Sequence, residues 1–279
     1  MTHAWNDMTP AKQKNAIIIG TALVALIAIA VILLSTPKQQ TWHRPAAASV
    51  TYTVLRGQDL ATIGDIHGRV PGLMLAAFND RELGAHFNDS CTGKNWPRPG
   101  AYYCNTRLNI AQASTLDPGQ NLRIPDVSAI PADINRTVER IGRTTHAAIL
   151  VDGGPGRQKN LDTAVQYNLA LDRQGKTLAP IWIYTRTGMV EYRNESGLWR
   201  FNVKWPGLPG ALHALETQPI DLIVLVTDSL DPNLLPLTST TPVIGFCQSS
   251  GCQPQMAKMV KVFNKADRQK GSWVVPFTG

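Results

Sequence analysis

Acid is scarce in this chain. It holds 20 Asp and Glu against 27 Lys and Arg, and only 17% of its residues are charged. No two of these acids form a recognisable catalytic pair, and a glycosidase needs two carboxylates facing each other across a cleft. G-x-S-x-G, H-E-x-x-H and the P-loop are all missing, so the usual signatures of hydrolases and nucleotide-binding enzymes are absent. No run of like charge is long enough to serve as a nucleic-acid arm. Nucleic acid is therefore not an expected partner. The net charge of +7 is spread along the chain. It reads as a solvated basic surface, with a weak attraction to anionic lipid or cell-wall polymer as the alternative.

Cysteine is also scarce. The four form two close pairs, Cys91 with Cys104 and Cys247 with Cys252. "CQSSGC" has the C-x4-C spacing of a zinc half-site, but no second pair and no His lies near it. Two local disulfides are the expectation. Free thiols and a metal site are the alternatives. Close pairing of this kind suits an oxidising compartment.

Apolar sequence is plentiful. The chain has 279 residues, 43% of them hydrophobic, enough for a sizeable core and by length about two domains. "AIIIGTALVALIAIAVILL", residues 16–34, carries no charge. At about 1.5 Å of rise per residue it just crosses a hydrocarbon core. A cleaved signal peptide would have a shorter apolar region with a small-residue cleavage motif soon after it. Here "STPKQQTWHRP" follows, and "PAAAS" only further on, so an uncleaved single-pass transmembrane helix is expected. Lys12 and Lys14 flank one side, Lys38 and Arg44 the other, so charge does not set the orientation. The cysteines set it. All four follow the anchor, which places residues 1–15 in the cytoplasm as a tail and the C-terminal domains in the periplasm, on the outer side of the inner membrane.

Residues 35–48 are rich in Pro, Gln and Ala and read as an extended linker. "SVTYTVL" then alternates as a strand does. Gly57 allows a tight turn, and Asp59 is placed to cap a helix that begins with Leu60, Ile63 and Ile66. Pro71 suits the first turn of a second helix through Leu73, Leu75 and Phe78, which Asn79 and Asp80 end. Much later, "LDPGQNLRIPD" gives a Pro-Gly turn and a short strand.

This arrangement resembles the LysM module, a βααβ unit that binds the N-acetylglucosamine backbone of peptidoglycan or chitin. The likeness rests on "YTVLRGQDLATIG", Asn79 and "LDPGQNLRIP" and covers about a quarter of the chain. It implies a module over residues 49–127, with glycan contacts at Gly57, Gln58, Asp59, Leu60, Asn79, Pro118, Gly119 and Gln120. The alternative is that these positions only shape turns and caps. Two features depart from the family. Gly57-Gln58-Asp59-Leu60 stands in place of Gly-Asp-Thr-Leu, and a long insertion carries Cys91 and Cys104.

Residues 128–143 form a connector with an amphipathic helix from about Ala132. Over residues 144–279 the pattern changes. "HAAILVD", "PIWIYT", "GMVEY", "DLIVLVTD" and "TPVIGFC" are strand-like, and "NLDTAVQYNLALDRQ", "LPGALHALE" and "QMAKMVKVFNKA" are helix-like. Buried strands alternating with helices indicate an α/β doubly wound parallel sheet. Two of those strands end in Asp152 and Asp228, which should meet in the crevice at the carboxyl edge of the sheet. "AAILVDGGPG", "NLDTAV", "LPGALHALE" and "DLIVLVTDS" make this half resemble a von Willebrand factor A domain. That family's metal site uses Asp-x-Ser-x-Ser, and Gly154 and Gly156 replace both serines here. Asp152 and Asp228 thus remain as candidates of a degenerate site. No metal or other cofactor is expected, because a hard cation needs several oxygen ligands. The glycines of "GGPG" suit either a plain turn or an anion at a helix start.

"CQSSGCQ" has a partial likeness to the Ser-His-Gly-Cys heart of L,D-transpeptidases. Ser250 replaces the His, no Arg follows Cys252, and the nearest upstream His is His213, so the base that a thiolate nucleophile needs is missing. The expected function is that of a non-enzymatic bitopic envelope protein. It would link the inner membrane to peptidoglycan and present an α/β platform to other envelope proteins, as in a secretion or conjugation machine. A peptidoglycan-modifying enzyme targeted by its LysM module is the alternative.

Overall fold

The computed structural model describes residues 42–80, 83, 116–142, 145–185, 188–192, 207–231, 239–266 and 272–276. All of them belong to one compact unit, Trp42–Gly279. The expected membrane span over residues 16–34, the tail before it, and Cys91 and Cys104 lie outside the described residues. Among the described residues no helix is long and apolar enough to cross a membrane.

The first elements are strand β1 (Ser49–Thr53), helices α1 (Leu60–Ile66) and α2 (Gly72–Phe78), and strand β2 (Asn121–Pro125). β1 and β2 form an antiparallel ribbon, with Ser49 opposite Pro125 and Thr53 opposite Asn121. Asp59 caps α1 by accepting from the Thr62 N–H at 2.7 Å. Pro71 stands at the N-cap of α2, where its missing N–H costs nothing. Asn79 ends α2 and closes the free edge of β2. Its Oδ1 accepts from Arg123 N at 2.7 Å, and its Nδ2 donates to Arg123 O at 2.8 Å and Leu75 O at 2.9 Å. One side chain thus takes the place of a third strand on that edge.

Helix α3 (Ala132–Glu139) leads into strand β3 (Ala147–Asp152), helix α4 (Arg157–Arg173) and strands β4 (Ile181–Thr185) and β5 (Gly188–Tyr192). Helix α5 (Gly207–Glu216), β6 (Leu222–Thr227), β7 (Val243–Cys247), helix α6 (Cys252–Ala266) and β8 (Trp273–Val274) follow among the described residues. The described chain is α+β, with six α-helices and a mixed sheet in the order β5-β4-β3-β6-β7-β8. The expectation of a wholly parallel sheet is corrected at β5, which runs antiparallel to β4. Only residues 186 and 187 separate the two strands, and so short a connection permits a hairpin but no crossover.

β3 and β6 are buried throughout their apolar runs and pair in parallel, Val151 opposite Val226. From β3 the chain goes first to β4 on one side and later returns to β6 on the other, so strand order reverses between them. In open α/β sheets ligands bind at such a switch point. α5 and α6 cover one face of the sheet. The other face packs on α4 in a hydrophobic cluster that also takes in Leu60, Leu75 and Phe78 from the βααβ segment. Residues 49–127 and the sheet therefore share one core. Polar contacts join them too: Arg123 pairs with Asp162 at 2.7 Å, Gln158 Nε2 donates to Phe78 O at 3.0 Å, and Arg157 pairs with Asp80.

Residues 42–48, within the expected linker, are fastened to this unit. His43 bridges Ser249 in antiparallel fashion, Ser250 N donates to Trp42 O at 3.0 Å, and Arg44 N donates to Gln248 O at 2.9 Å. The Arg44 side chain is 3% exposed and meets Asp133, 5% exposed, at 2.6 Å. Its guanidinium also stands over the Phe246 ring, 5.6 Å from the centroid. A lone Arg in a Pro/Ala-rich stretch is thus a strap across β7 and α3.

Candidate functional site

Two regions collect the residues singled out from the sequence. The first is the end of the β1–β2 ribbon. Val54 N donates to Gln120 O and Gly119 N donates to Val54 O, each at 2.8 Å. Past the last ladder pair, these bonds hold the turn over residues 54–59 beside the turn over residues 117–120. Gly57 has φ +81° and Gly119 φ +88°, and a Cβ on either would meet nothing within 4 Å. Both turns need the left-handed region that glycine enters freely. Together they make an exposed shelf that no side chain crowds at its two corners.

The expected glycan contacts divide on this geometry. Gly57, Gln58, Pro118, Gly119 and Gln120 lie on the two turns. Asp59 is committed to its cap, and the Thr62 N–H holds its carboxyl below the ordinary range. Leu60 is 1% exposed and packs in the core. Asn79 is fully buried with its amide spent on α2 and β2. Leu60 therefore belongs to the core and Asn79 to the edge of β2. Sequence reasoning missed Tyr52, whose hydroxyl donates to Gln58 Oε1 at 2.8 Å. It occupies a ladder position that reads only as strand.

The second region is the switch point. Asp152 ends β3, and Asp228 follows Thr227, the last residue of β6. The register places the two acids at one carboxyl edge, as expected. Burial raises the pKa of Asp152; the Gly154 N–H and the Thr227 hydroxyl offset part of this, and the Asp228 carboxylate adds to the rise. Burial likewise pushes the Tyr184 hydroxyl, opposite Asp152 on β4, well above the ordinary phenol value.

Thr227 is the residue on which this site turns. Its Oγ1 lies 2.8 Å from Asp152 Oδ2 and 2.6 Å from Ser229 O, and it accepts from Ser229 N at 3.2 Å. A hydroxyl has one hydrogen to give. If it goes to Ser229 O, the short contact to Asp152 is satisfied when Asp152 carries the proton. If it goes to Asp152, the charged carboxylate is served and Ser229 O is not. The direction of this hydroxyl and the protonation of Asp152 are therefore coupled. The Thr-Asp pair is visible in "LVTDS"; the doubled acceptor is not.

The glycines beside the acids differ. A Cβ on Gly154 would stand 3.2 Å from Asp152 Oδ1, but one on Gly156 would stand 2.5 Å from Asp228 Oδ2 and 2.8 Å from its Cγ. The Asp228 carboxylate occupies the place where a residue-156 side chain would begin. Among the described residues no group of three or more His, Cys, Asp or Glu is placed to hold a metal ion. Ser249, next to the strap, donates from Oγ to Asp228 O at 2.9 Å. The loop carrying it is closed by a disulfide between Cys247 and Cys252, with Cα atoms 5.6 Å apart.

The chain matches no family model, no curated protein and no solved structure.

Proposed function

We propose that the protein is a non-enzymatic link between the inner membrane and peptidoglycan, with residues 16–34 as its single membrane span and the shelf as its wall contact. The observation that carries this reading is the union of the two glycine turns at one end of the β1–β2 ribbon, held by the Val54 bonds. Among the described residues, strand, two helices and strand closed by an antiparallel ribbon is also the order a LysM-like module would have. The sheet, with its two acids at the switch point, serves in this reading as a degenerate von Willebrand factor A-like platform for other envelope proteins. A secretion or conjugation machine is the kind of assembly that would use such a link.

The Cys247–Cys252 disulfide favours a periplasmic location for this region. It also weighs against the enzyme alternative. A bonded Cys252, 1% exposed, offers no thiolate. Full chain in detergent is expected to pellet with purified peptidoglycan and to remain there at moderate salt. Retention in the supernatant at every ionic strength would leave the shelf as a scaffold only.

A further inference from the structure

The β1–β2 ribbon is closed on one edge only. On the β2 side Asn79 takes up both the N–H and the C=O of Arg123, which stands opposite Thr51. On the β1 side no such group is found among the described residues. Asp126 N donates to Ala48 O and Val54 N donates to Gln120 O, each at 2.8 Å, and facing pairs of an antiparallel ladder alternate. Ala48, Val50, Tyr52 and Val54 therefore turn their main chain towards β2, while Ser49, Thr51 and Thr53 turn theirs away from it. Ser49, Val50, Thr51 and Thr53 are all exposed. Natural edge strands are blunted by Lys, by Pro or by a bulge. β1 has none of these: its register with β2 is unbroken, and residues 46–55 hold neither a charge nor a proline. Val50 is 55% exposed and Leu55 60%, so two large apolar side chains stand open within the same run.

We propose that β1 is an interface between two copies of this chain, paired edge to edge and antiparallel about a twofold axis at Thr51. The pairing does not depend on what the shelf binds. A twofold contact must be complementary to itself, and this strand is. Centred on Thr51, it uses all five residues: Ser49 faces Thr53 of the second copy, and Thr51 faces the second copy's Thr51. Val50 then stands opposite Tyr52 on both sides of the axis, in the non-hydrogen-bonded position where side chains are closest. An aromatic against a β-branched residue is a favourable cross-strand pair. The chain carries a net charge of +7, so two copies repel over much of their surface, and the uncharged run is where they can meet. An edge of five residues is small beside a standard interface of about 1,600 Å². The dimer is therefore weak in dilute solution and forms where copies are held close together.

Cysteine crosslinking of the full chain, in membranes from cells producing it, reads the register. Across the axis two Thr51 Cα atoms would stand about 5.5 Å apart, within the span of about 4.4–6.8 Å that a disulfide bridges. Two Thr53 Cα atoms would be offset by four residues, about 14 Å. Mild oxidation should therefore convert Thr51→Cys into a covalent dimer and leave Thr53→Cys monomeric. Ser49→Cys and Thr53→Cys chains produced in one cell should crosslink to each other. Val50→Lys added to Thr51→Cys should lower the dimer yield about fivefold, because it sets two ammonium groups diagonally across the axis. Val50 is exposed, so the circular dichroism spectrum should stay unchanged. No dimer from Thr51→Cys, equal dimer from Thr51→Cys and Thr53→Cys, or an undiminished yield with Val50→Lys would overturn the proposal. So would a Thr51→Cys adduct to a different protein, which would give the edge to another partner.

Discussion

Arg44→Ala should cost the folded unit about 3–5 kcal/mol, the usual cost of removing one partner of a buried ion pair. Asp133 would be left 5% exposed with its charge unmatched. Phe246 would lose the guanidinium above its ring, a smaller term of about 1–2 kcal/mol when desolvated. The backbone bonds of the strap involve Trp42 and Arg44 main chain, so the substitution leaves them formally possible. Urea unfolding of the full chain, followed by circular dichroism, gives the number. The double variant Arg44→Met with Asp133→Leu should regain most of the loss, since apolar pairs often replace buried ion pairs without penalty. A loss below about 1 kcal/mol for Arg44→Ala, a value typical of exposed pairs, would mean that the strap is loosely held.

Gly156→Ser should destabilise by about 1–3 kcal/mol, the range for overpacking a filled site, and millimolar Mg2+ should not rescue it. The introduced Cβ would start 2.5 Å from Asp228 Oδ2, so the carboxylate or the loop must move before the hydroxyl reaches any ligand. Gly154→Ser provides the contrast, because its Cβ would meet Asp152 Oδ1 at 3.2 Å and a small shift suffices. Thermal melts of both variants with and without Mg2+ decide the matter, since a cation that binds only the folded state raises the midpoint. A Mg2+-dependent rise in Gly156→Ser would show that the edge can hold a cation once one of the missing hydroxyls is restored.

The strands of the sheet were legible because burial on both faces leaves an unbroken apolar run. "AAILV" and "LIVLV" can hardly be read otherwise, and their terminal acids follow from the register. The direction of β5 departs from the wholly parallel expectation, although its signal is present in the sequence. Two residues between Thr185 and Gly188 leave no room for a crossover, and loop length outranks strand character in such a case. Arg44 was illegible for a different reason. Linker composition around it is uniform, and the partners that bury it, Asp133 and Phe246, lie far along the chain. Asn79 was correctly placed at a helix end, but the edge it closes belongs to a strand 44 residues later in its hydrogen bond to Arg123. The shelf itself could be placed from its two glycine turns.

Site-specific photocrosslinking in cells expressing the full chain shows whether the shelf meets the wall. A photoreactive residue would replace Arg56, exposed on the first turn, and in a separate variant Asp172, exposed near the end of α4. Irradiation should produce a muramidase-sensitive glycan adduct from position 56 and none from position 172. No glycan adduct at position 56, or equal adducts at both positions, would mean that the shelf is not the wall contact.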